Sequence, residues 1–325
     1  MQKHKPLVTV GIPCYNRAKG LESTLRAITS QSYKNLEIII SDNNSSDLKV
    51  KNIALSFQKV DSRIKYIKQN SNIGALNNFL FLSNKGTGKY FMWAADDDWW
   101  ATNFVSEMVC LLETHKQASI AFCRSIATED DYSIKKVYPD FYSKMKVFTE
   151  LDAVKRLKFF ISEKNCFGKA HLIYGLHRHS FLLDAIHSTL DAVEKKFSNE
   201  VPPHFDMLLN ATLLFRGNLA LTSKLLRRYG SGPRTSNKFR KRTFAEILFG
   251  YETLMLKYFN CYIPIIAASD CKTKEKEYLE KIVRRQKIFY VLERILRRLL
   301  IYKVYWYFFK KFTFKNIKEL ERYNP

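Results

Sequence analysis

The first hundred residues alternate between short apolar runs and segments of helical periodicity, and this alternation narrows the possible folds sharply. Leu7 to Ile12, Leu36 to Ile40, Ile64 to Ile67 and Tyr90 to Ala95 read as strands, the first ended by Pro13. Between them, Gly20 to Gln31 carries Leu21, Leu25 and Ile28 at helical spacing, and Val50 to Lys59 reads as a helix. Asn72 and Gly74 open a third helix, with Leu76, Leu80 and Phe81 on its apolar face. Strands alternating with helices build an α/β fold, a mostly parallel sheet flanked by helices on both faces. Such sheets bind ligands outside the carboxyl ends of their strands. The clusters CYNR, SDNNSSD and DDD all fall at those ends.

The last of these clusters, Asp96-Asp97-Asp98, repels itself unless a cation compensates it. Mg²⁺ takes oxygen ligands, commonly one or two carboxylates completed by substrate phosphates. The triplet therefore points to a metal-held diphosphate. Asp42 in SDNNSSD reads equally as a turn residue or helix cap. Trp93, Trp99 and Trp100 read as packing residues, with Trp99 the best exception.

Downstream the pattern weakens. Glu107 to Thr114 continues a helix, Ile120 to Arg124 is a strand, and Tyr132 to Phe148 is a loop or edge hairpin. Leu172 to Leu176 reads as a strand, Phe181 to Leu190 and the run after PPHFD as helices, and Leu219 to Tyr229 as the last strand, closed by GSGP. The six cysteines lack metal-ligand spacing and read as buried thiols of a cytoplasmic protein. No apolar span reaches the roughly 20 residues of a membrane helix. The net charge of +23 is uneven: residues 223–325 hold 25 Lys and Arg against 9 Asp and Glu. That asymmetry calls for an acidic partner, nucleic acid or anionic lipid.

VTVGIPCYNR, EIIISDNNSSD, NIGALNNF and ADDDWW, in this order, resemble the signature of the family 2 glycosyltransferases. The resemblance covers about Val8 to Phe104 and continues more faintly to about Gly232. It implies the GT-A (Rossmann-like) fold and a bacterial enzyme that takes sugar from a nucleotide-diphosphate donor with inversion. It places Pro13, Tyr15 and Arg17 at the donor's base and ribose, and Asp42 on the base. Gly74 and Asn78 line the nucleotide pocket, where Asn77 stands in place of the family's frequent Arg. Asp96 and Asp98 match the outer carboxylates of the D-x-D element, with Asp98 the metal ligand, Asp96 its partner for Mn²⁺ or Mg²⁺, and Asp97 beside the donor. Asp206 matches the acidic residue before an apolar helix that serves as catalytic base; Glu200 is a weaker substitute, and His204 reads as a loop histidine or as one that ligates metal or assists. His171, His177, Arg178 and His179 lie in a segment similar to one that shapes the sugar and acceptor pocket, and half or more of them read equally as surface residues. In RRYGSG, Arg227 or Arg228 would hold the diphosphate, since Tyr229 and Gly230 stand where members place His.

The chain thus divides into a catalytic domain, 1–232, and a helical, basic, aromatic-rich C-terminal region, 233–325. Ile288, Leu292, Ile295 and Leu299 share one helical face flanked by Arg294, Arg297 and Arg298, and an aromatic belt runs from Tyr302 to Phe314. A basic amphipathic helix with interfacial aromatics lies on membrane surfaces, although an ordinary helix packed on the catalytic domain has the same pattern. The expectation is a transferase peripheral to the inner face of the cell membrane, acting on a glycan or lipid-linked acceptor in surface-polysaccharide synthesis. A nucleic-acid-binding protein leaves the acidic triplet unexplained; a catalytically decayed membrane-associated GT-A scaffold is the second rival.

Overall fold

A computed structural model describes residues 5–96, 98–128, 134–136, 142, 144–163, 169–197, 204–230 and 251–298. Its first half follows the expected alternation: β1 (Val8–Cys14), α1 (Ala18–Thr29), β2 (Leu36–Asp42), α2 (Leu48–Val60), β3 (Ile64–Lys68), α3 (Ala75–Lys85) and β4 (Tyr90–Trp93). β2 and β4 both run parallel to β1, and β3 runs parallel to β2. Every residue of β1 and β2 is buried, which is why both read as unbroken apolar runs rather than alternating ones.

Pro13 does not end β1. It pairs in register with Ser41, and the strand continues to Cys14. Gly11 faces β4, accepting a bond from Ala94 N–H, so Pro13 two residues on faces the same side, beyond the end of β4. The N–H that proline lacks therefore has no ladder to join.

The second half is β5 (Asp98–Trp100), α4 (Phe104–Thr114), β6 (Ala118–Thr128), β7 (Ile134–Lys136), α5 (Ala153–Ser162), β8 (Leu176–Arg178), α6 (His179–Phe197), α7 (Phe205–Arg216) and β9 (Asn218–Gly230). The strand order is β3-β2-β1-β4-β8-β6-β9-β5, with β7 on β6. β8 is inserted antiparallel between β4 and β6, β9 runs parallel to β6, and β5 antiparallel to β9. This is the expected α/β class, a mostly parallel central sheet flanked by helices.

Two elements depart from expectation. Residues 172–174 belong to a 3-10 turn, Lys169–Tyr174, and the strand is only β8. Gly175 separates the two; a Cβ there would meet the Ala121 carbonyl at 2.6 Å. In α3 the fully buried residues are Asn78, Leu82 and Ser83, with Leu76 and Leu80 only partly covered.

Helices α1, α2 and α4 cover one face through Leu21, Leu25, Ile28, Val50 and Phe104. The other face carries α3, α5, α6 and α7, together with α8 (Tyr251–Ala267) and α9 (Thr273–Arg298). Tyr258, Tyr262, Ile266, Leu279 and Val283 of α8 and α9 share one core with α5, α6 and α7. The C-terminal helices are thus packed onto these helices as far as Tyr290. Among the described residues, no helix is long and apolar enough to cross a membrane. Cys14, Cys123 and Cys261 are buried, but Cys110 is exposed and Cys271 half-buried, correcting the expectation that the thiols are buried; Cys166 lies outside the described residues. On α4, Cys110 belongs to the solvent face opposite Met108 and Leu112.

Candidate active site

The strand-end loops are tied to one another by side-chain bonds. Asn16, in the left-handed region at φ 53°, accepts from Ser46 N–H (2.9 Å) and Asp47 N–H (3.2 Å), and its own N–H donates to Ser45 Oγ (2.9 Å). Asparagine tolerates that conformation better than most residues. Asp42 accepts Ser45 N–H at 2.8 Å and the Tyr66 hydroxyl at 2.7 Å. Asn43 donates to Asn72 and accepts Ile73 N–H, fixing the turn before Gly74, whose φ of 82° favours glycine. Asn78 bridges α3 to β2, accepting from Ser41 Oγ (2.6 Å) and donating to its carbonyl (3.1 Å). Pro13, Asp42 and Asn78 are accordingly buried, whereas Tyr15 and Gly74 are exposed at the rim.

Beneath this rim lie the acidic residues. Arg17 Nη1 donates to Asp96 Oδ1 at 2.7 Å. Asp98, 5% exposed, accepts from both Nε (3.0 Å) and Nη2 of Arg227, itself 1% exposed. The register of β5 against β9, Asp98 opposite Tyr229 and Trp100 opposite Arg227, makes the ion pair a diagonal cross-strand contact on one face. On the other face Arg228 stacks over Trp99 at 5.0 Å. Trp93 and Trp100 are buried as packing residues. Burial raises the Cys14 thiol pKa, and the charges of Asp42 and Asp96 raise it further, so both carboxylates bear on the end of β1. Asp97 lies outside the described residues.

The Arg227 guanidinium also rests over the Tyr174 ring at 4.6 Å. Tyr174 in turn lines a cavity of about 210 Å³ walled by Leu76, Phe79, Leu80, Trp93 and Ile173 and containing Asp206. His204, at φ 59°, precedes α7 without a side-chain capping bond and packs edge-on against Tyr258 at 5.8 Å. Burial raises the Asp206 pKa, opposed by the charge of His204 and the bond from Met207 N–H. An apolar cavity thus strengthens this carboxylate as a base.

The histidine segment is mostly structural. His177 bonds the Ile173 carbonyl, His179 bonds Gly88 and Ser83 carbonyls, and Arg178 donates to Ala118, Leu112 and His115 carbonyls. Their backbone bonds anchor β8 and α6; His177 and His179 are buried rather than on the surface. His171 packs beside Tyr174 (6.4 Å) and His177 edge-on to Trp93 (5.8 Å); burial, then the charge of Arg227, push His171 down to about 3. Glu200 lies outside the described residues.

Sequence reasoning missed Tyr174, an aromatic residue beside Gly175 without periodicity to mark it. It also missed Gly20, where a Cβ would lie 1.9 Å from the Asp96 carbonyl oxygen. Thr24 Oγ1, one turn on, donates to the Ala95 carbonyl at 2.9 Å.

Residues 9–174, just over half of the chain, match the family model described as Glycosyl transferase family 2. The chain belongs to that family. A GalNAc(5)-diNAcBac-PP-undecaprenol beta-1,3-glucosyltransferase of Campylobacter jejuni is 38% identical over 94 residues, 29% of this chain and 30% of that protein. An uncharacterized glycosyltransferase of Rickettsia typhi is 31% identical over 147 residues, 44% of this chain. The chain spans less than half the length of these curated relatives, 45% of the Rickettsia protein. Among solved structures, Staphylococcus aureus TarS 1-349 in complex with UDP-GlcNAc superposes with a TM-score of 0.59 at 12% identity, covering 89% of this chain and 72% of that one. The mannosyltransferase PcManGT of Pyrobaculum calidifontis, with GDP-Man and Mn²⁺, gives 0.50 at 15% identity, covering 87% and 70%. At these identities the superpositions establish the GT-A fold of this family 2 chain.

Asp96 and Asp98 are oxygen donors of the kind that a hard divalent ion takes. Among the described residues no group of three or more His, Cys, Asp and Glu could cage a metal. Mn²⁺ or Mg²⁺ held by one or two carboxylates and completed by phosphates needs no such cage. Asp96 and Asp98 each pair with a guanidinium, that of Arg17 and that of Arg227, so an ion bound there would take the place of a cation already present.

Proposed function

We propose that the chain is an inverting glycosyltransferase moving a hexosyl or N-acetylhexosaminyl group from a nucleotide-diphosphate donor to a hydroxyl of a glycan or lipid-linked acceptor. The observation that carries this is the wall shared by two sites: Tyr174 supports Arg227 of the Asp98 pair and also lines the cavity of Asp206.

In this reading Asp98 and Asp96 would hold Mn²⁺ or Mg²⁺, which supplies charge neutralisation for a departing diphosphate. Tyr15, Arg17, Gly74 and Asp97 contact the donor, while Pro13, Asp42 and Asn78 fix the loops around it. Asp206 takes the proton of the acceptor hydroxyl as that oxygen attacks opposite the nucleotide, and burial equips it for the task. Trp93 and Leu209 add apolar walls to the cavity. The UDP-GlcNAc and Mn²⁺ complexes of the structural neighbours support the donor and ion classes, and the undecaprenol-linked substrate of the Campylobacter relative supports a lipid-linked acceptor.

Residues 1–232 form the catalytic unit in this reading, and 233–325 add contact with an anionic membrane surface at its cytoplasmic face. Exposed Ile288, Phe289 and Leu292 on α9, beside exposed Arg284 and Arg285, support that part. Ile295 and Leu299 to Pro325 contribute nothing to the argument, their side chains lying outside the described residues.

The test is hydrolysis and transfer across a panel of UDP- and GDP-sugars, with Mn²⁺, Mg²⁺ or chelator. Metal-dependent turnover of at least one donor is expected. No turnover or binding of any donor would defeat the proposal.

A further inference from the structure

We propose that Arg227 is an internal counter-cation, holding Asp98 in the metal-free protein, and that a divalent ion must displace it to bind. The proposal rests on the metal-assisted reading of the donor site and adds how that site is kept without its ion.

Three observations carry it. First, both partners are buried, their side chains 1% and 4% exposed, so the pair is nearly sealed from solvent. Removing one partner of such a buried pair is strongly destabilising. Second, two guanidinium nitrogens converge on the same oxygen, Oδ2 of Asp98. Third, the guanidinium is fixed in place by the ring of Tyr174 beneath it. The Arg17–Asp96 pair differs, its side chains being 27% and 11% exposed. That pair is the less deeply buried of the two. The two carboxylates are therefore unequal: an incoming ion meets Asp96 readily and gains Asp98 only as Arg227 withdraws.

Metal binding then becomes an exchange of one cation for another. The apparent affinity for metal alone is reduced by the fraction of molecules in which Arg227 still holds Asp98. Removing Arg227 takes away the buried cation paired with Asp98, which weakens the fold and removes that competitor for the ion.

The experiment titrates Mn²⁺ alone, without nucleotide, into the full chain, followed by calorimetry and by the electron paramagnetic resonance of free Mn²⁺. Arg227→Met is compared with wild type. Arg228→Met, one residue along on the opposite face of the strand, controls for a general change of charge. We expect Arg227→Met to bind Mn²⁺ at least tenfold more tightly than wild type, and Arg228→Met to stay within about threefold of wild type. The Arg227→Met melting temperature should fall in chelator and recover with Mn²⁺, whereas wild type should shift little. Arg227→Lys, which keeps one charge but loses the fork, should be intermediate and serves where Arg227→Met does not fold in chelator. Equal or weaker Mn²⁺ affinity in both Arg227 variants overturns the proposal, as does equal tightening in Arg228→Met. Failure of both Arg227 variants to fold even with Mn²⁺ also counts against it, since the ion should replace the lost charge. If no protein binds Mn²⁺ even with UDP or GDP, the metal reading itself falls and the proposal with it.

Discussion

Gly20→Ala is the sharpest single perturbation of the donor site. Replacing a helical glycine by alanine ordinarily stabilises a protein by about 0.4–1 kcal/mol when the backbone conformation permits it. Here the added methyl would lie 1.9 Å from the carbonyl oxygen of Asp96, a backbone atom that no rotamer can move aside. Reaching ordinary contact requires about 1.5 Å of movement by α1 or by the chain entering the acidic triplet. Such overpacking costs about 1–3 kcal/mol, which reverses the usual sign. A displacement of about 1 Å at a positioned group costs on the order of 100-fold in rate. We therefore expect a lower melting temperature and a fall of that order in kcat/KM for donor hydrolysis, with weakened metal-dependent donor binding. Thermal melts and steady-state kinetics on the same preparation measure both. A variant with raised melting temperature and unchanged kcat/KM would refute the packing of α1 against Asp96.

Asp206→Asn should be more stable than wild type near neutral pH yet inactive in transfer. Burial raises the Asp206 pKa, so the charged form is disfavoured in the fold. Stability is lost as pH rises from the unfolded value of about 3.9 through the raised folded value, and the gain from asparagine should vanish below about pH 3. Tyr174→Ala removes both the ring under Arg227 and a wall of the cavity, and should lower kcat/KM about 10- to 100-fold while Tyr174→Phe retains most activity. Replacing Ile288, Phe289 and Leu292 by serine should leave the melting temperature within a degree or two, since all three are exposed, but reduce co-sedimentation with anionic liposomes; unchanged co-sedimentation would sink the membrane reading. Native-state thiol labelling should modify Cys110 quickly and leave Cys14, Cys123 and Cys261 protected, read by peptide mass spectrometry.

The N-terminal half was legible because both faces of β1 and β2 are buried, so sequence and burial carry the same message. Even Pro13 broke the expectation only locally, because a missing N–H costs nothing where the neighbouring strand has ended. Short elements were harder. β8 has three residues and is held by its neighbours β4 and β6 rather than by any pattern of its own, so Leu172 to Leu176 suggested a longer strand. Strand order across β6, β9 and β5 depends on pairings about a hundred residues apart or more, and with it the meeting of Asp98 and Arg227. The sequence marked Arg227 only as one of two basic residues, and the histidines as surface or ligand groups, whereas His177 and His179 are buried and bonded to backbone carbonyls. Periodicity reports which residues are covered, and it is silent on which polar atoms meet.

The division of labour between Asp98 and Asp206 is best measured by donor binding and sugar transfer in paired asparagine variants. Binding of the best UDP- or GDP-sugar is titrated with Mn²⁺ and with chelator, and transfer to acceptor is followed in the same samples. Asp206→Asn should bind donor as wild type does, with metal dependence intact, and transfer no sugar. Asp98→Asn should lose both transfer and the metal-dependent part of donor binding. Full transfer by Asp206→Asn, or undiminished metal-dependent donor binding by Asp98→Asn, would contradict the assignment of base and metal ligand.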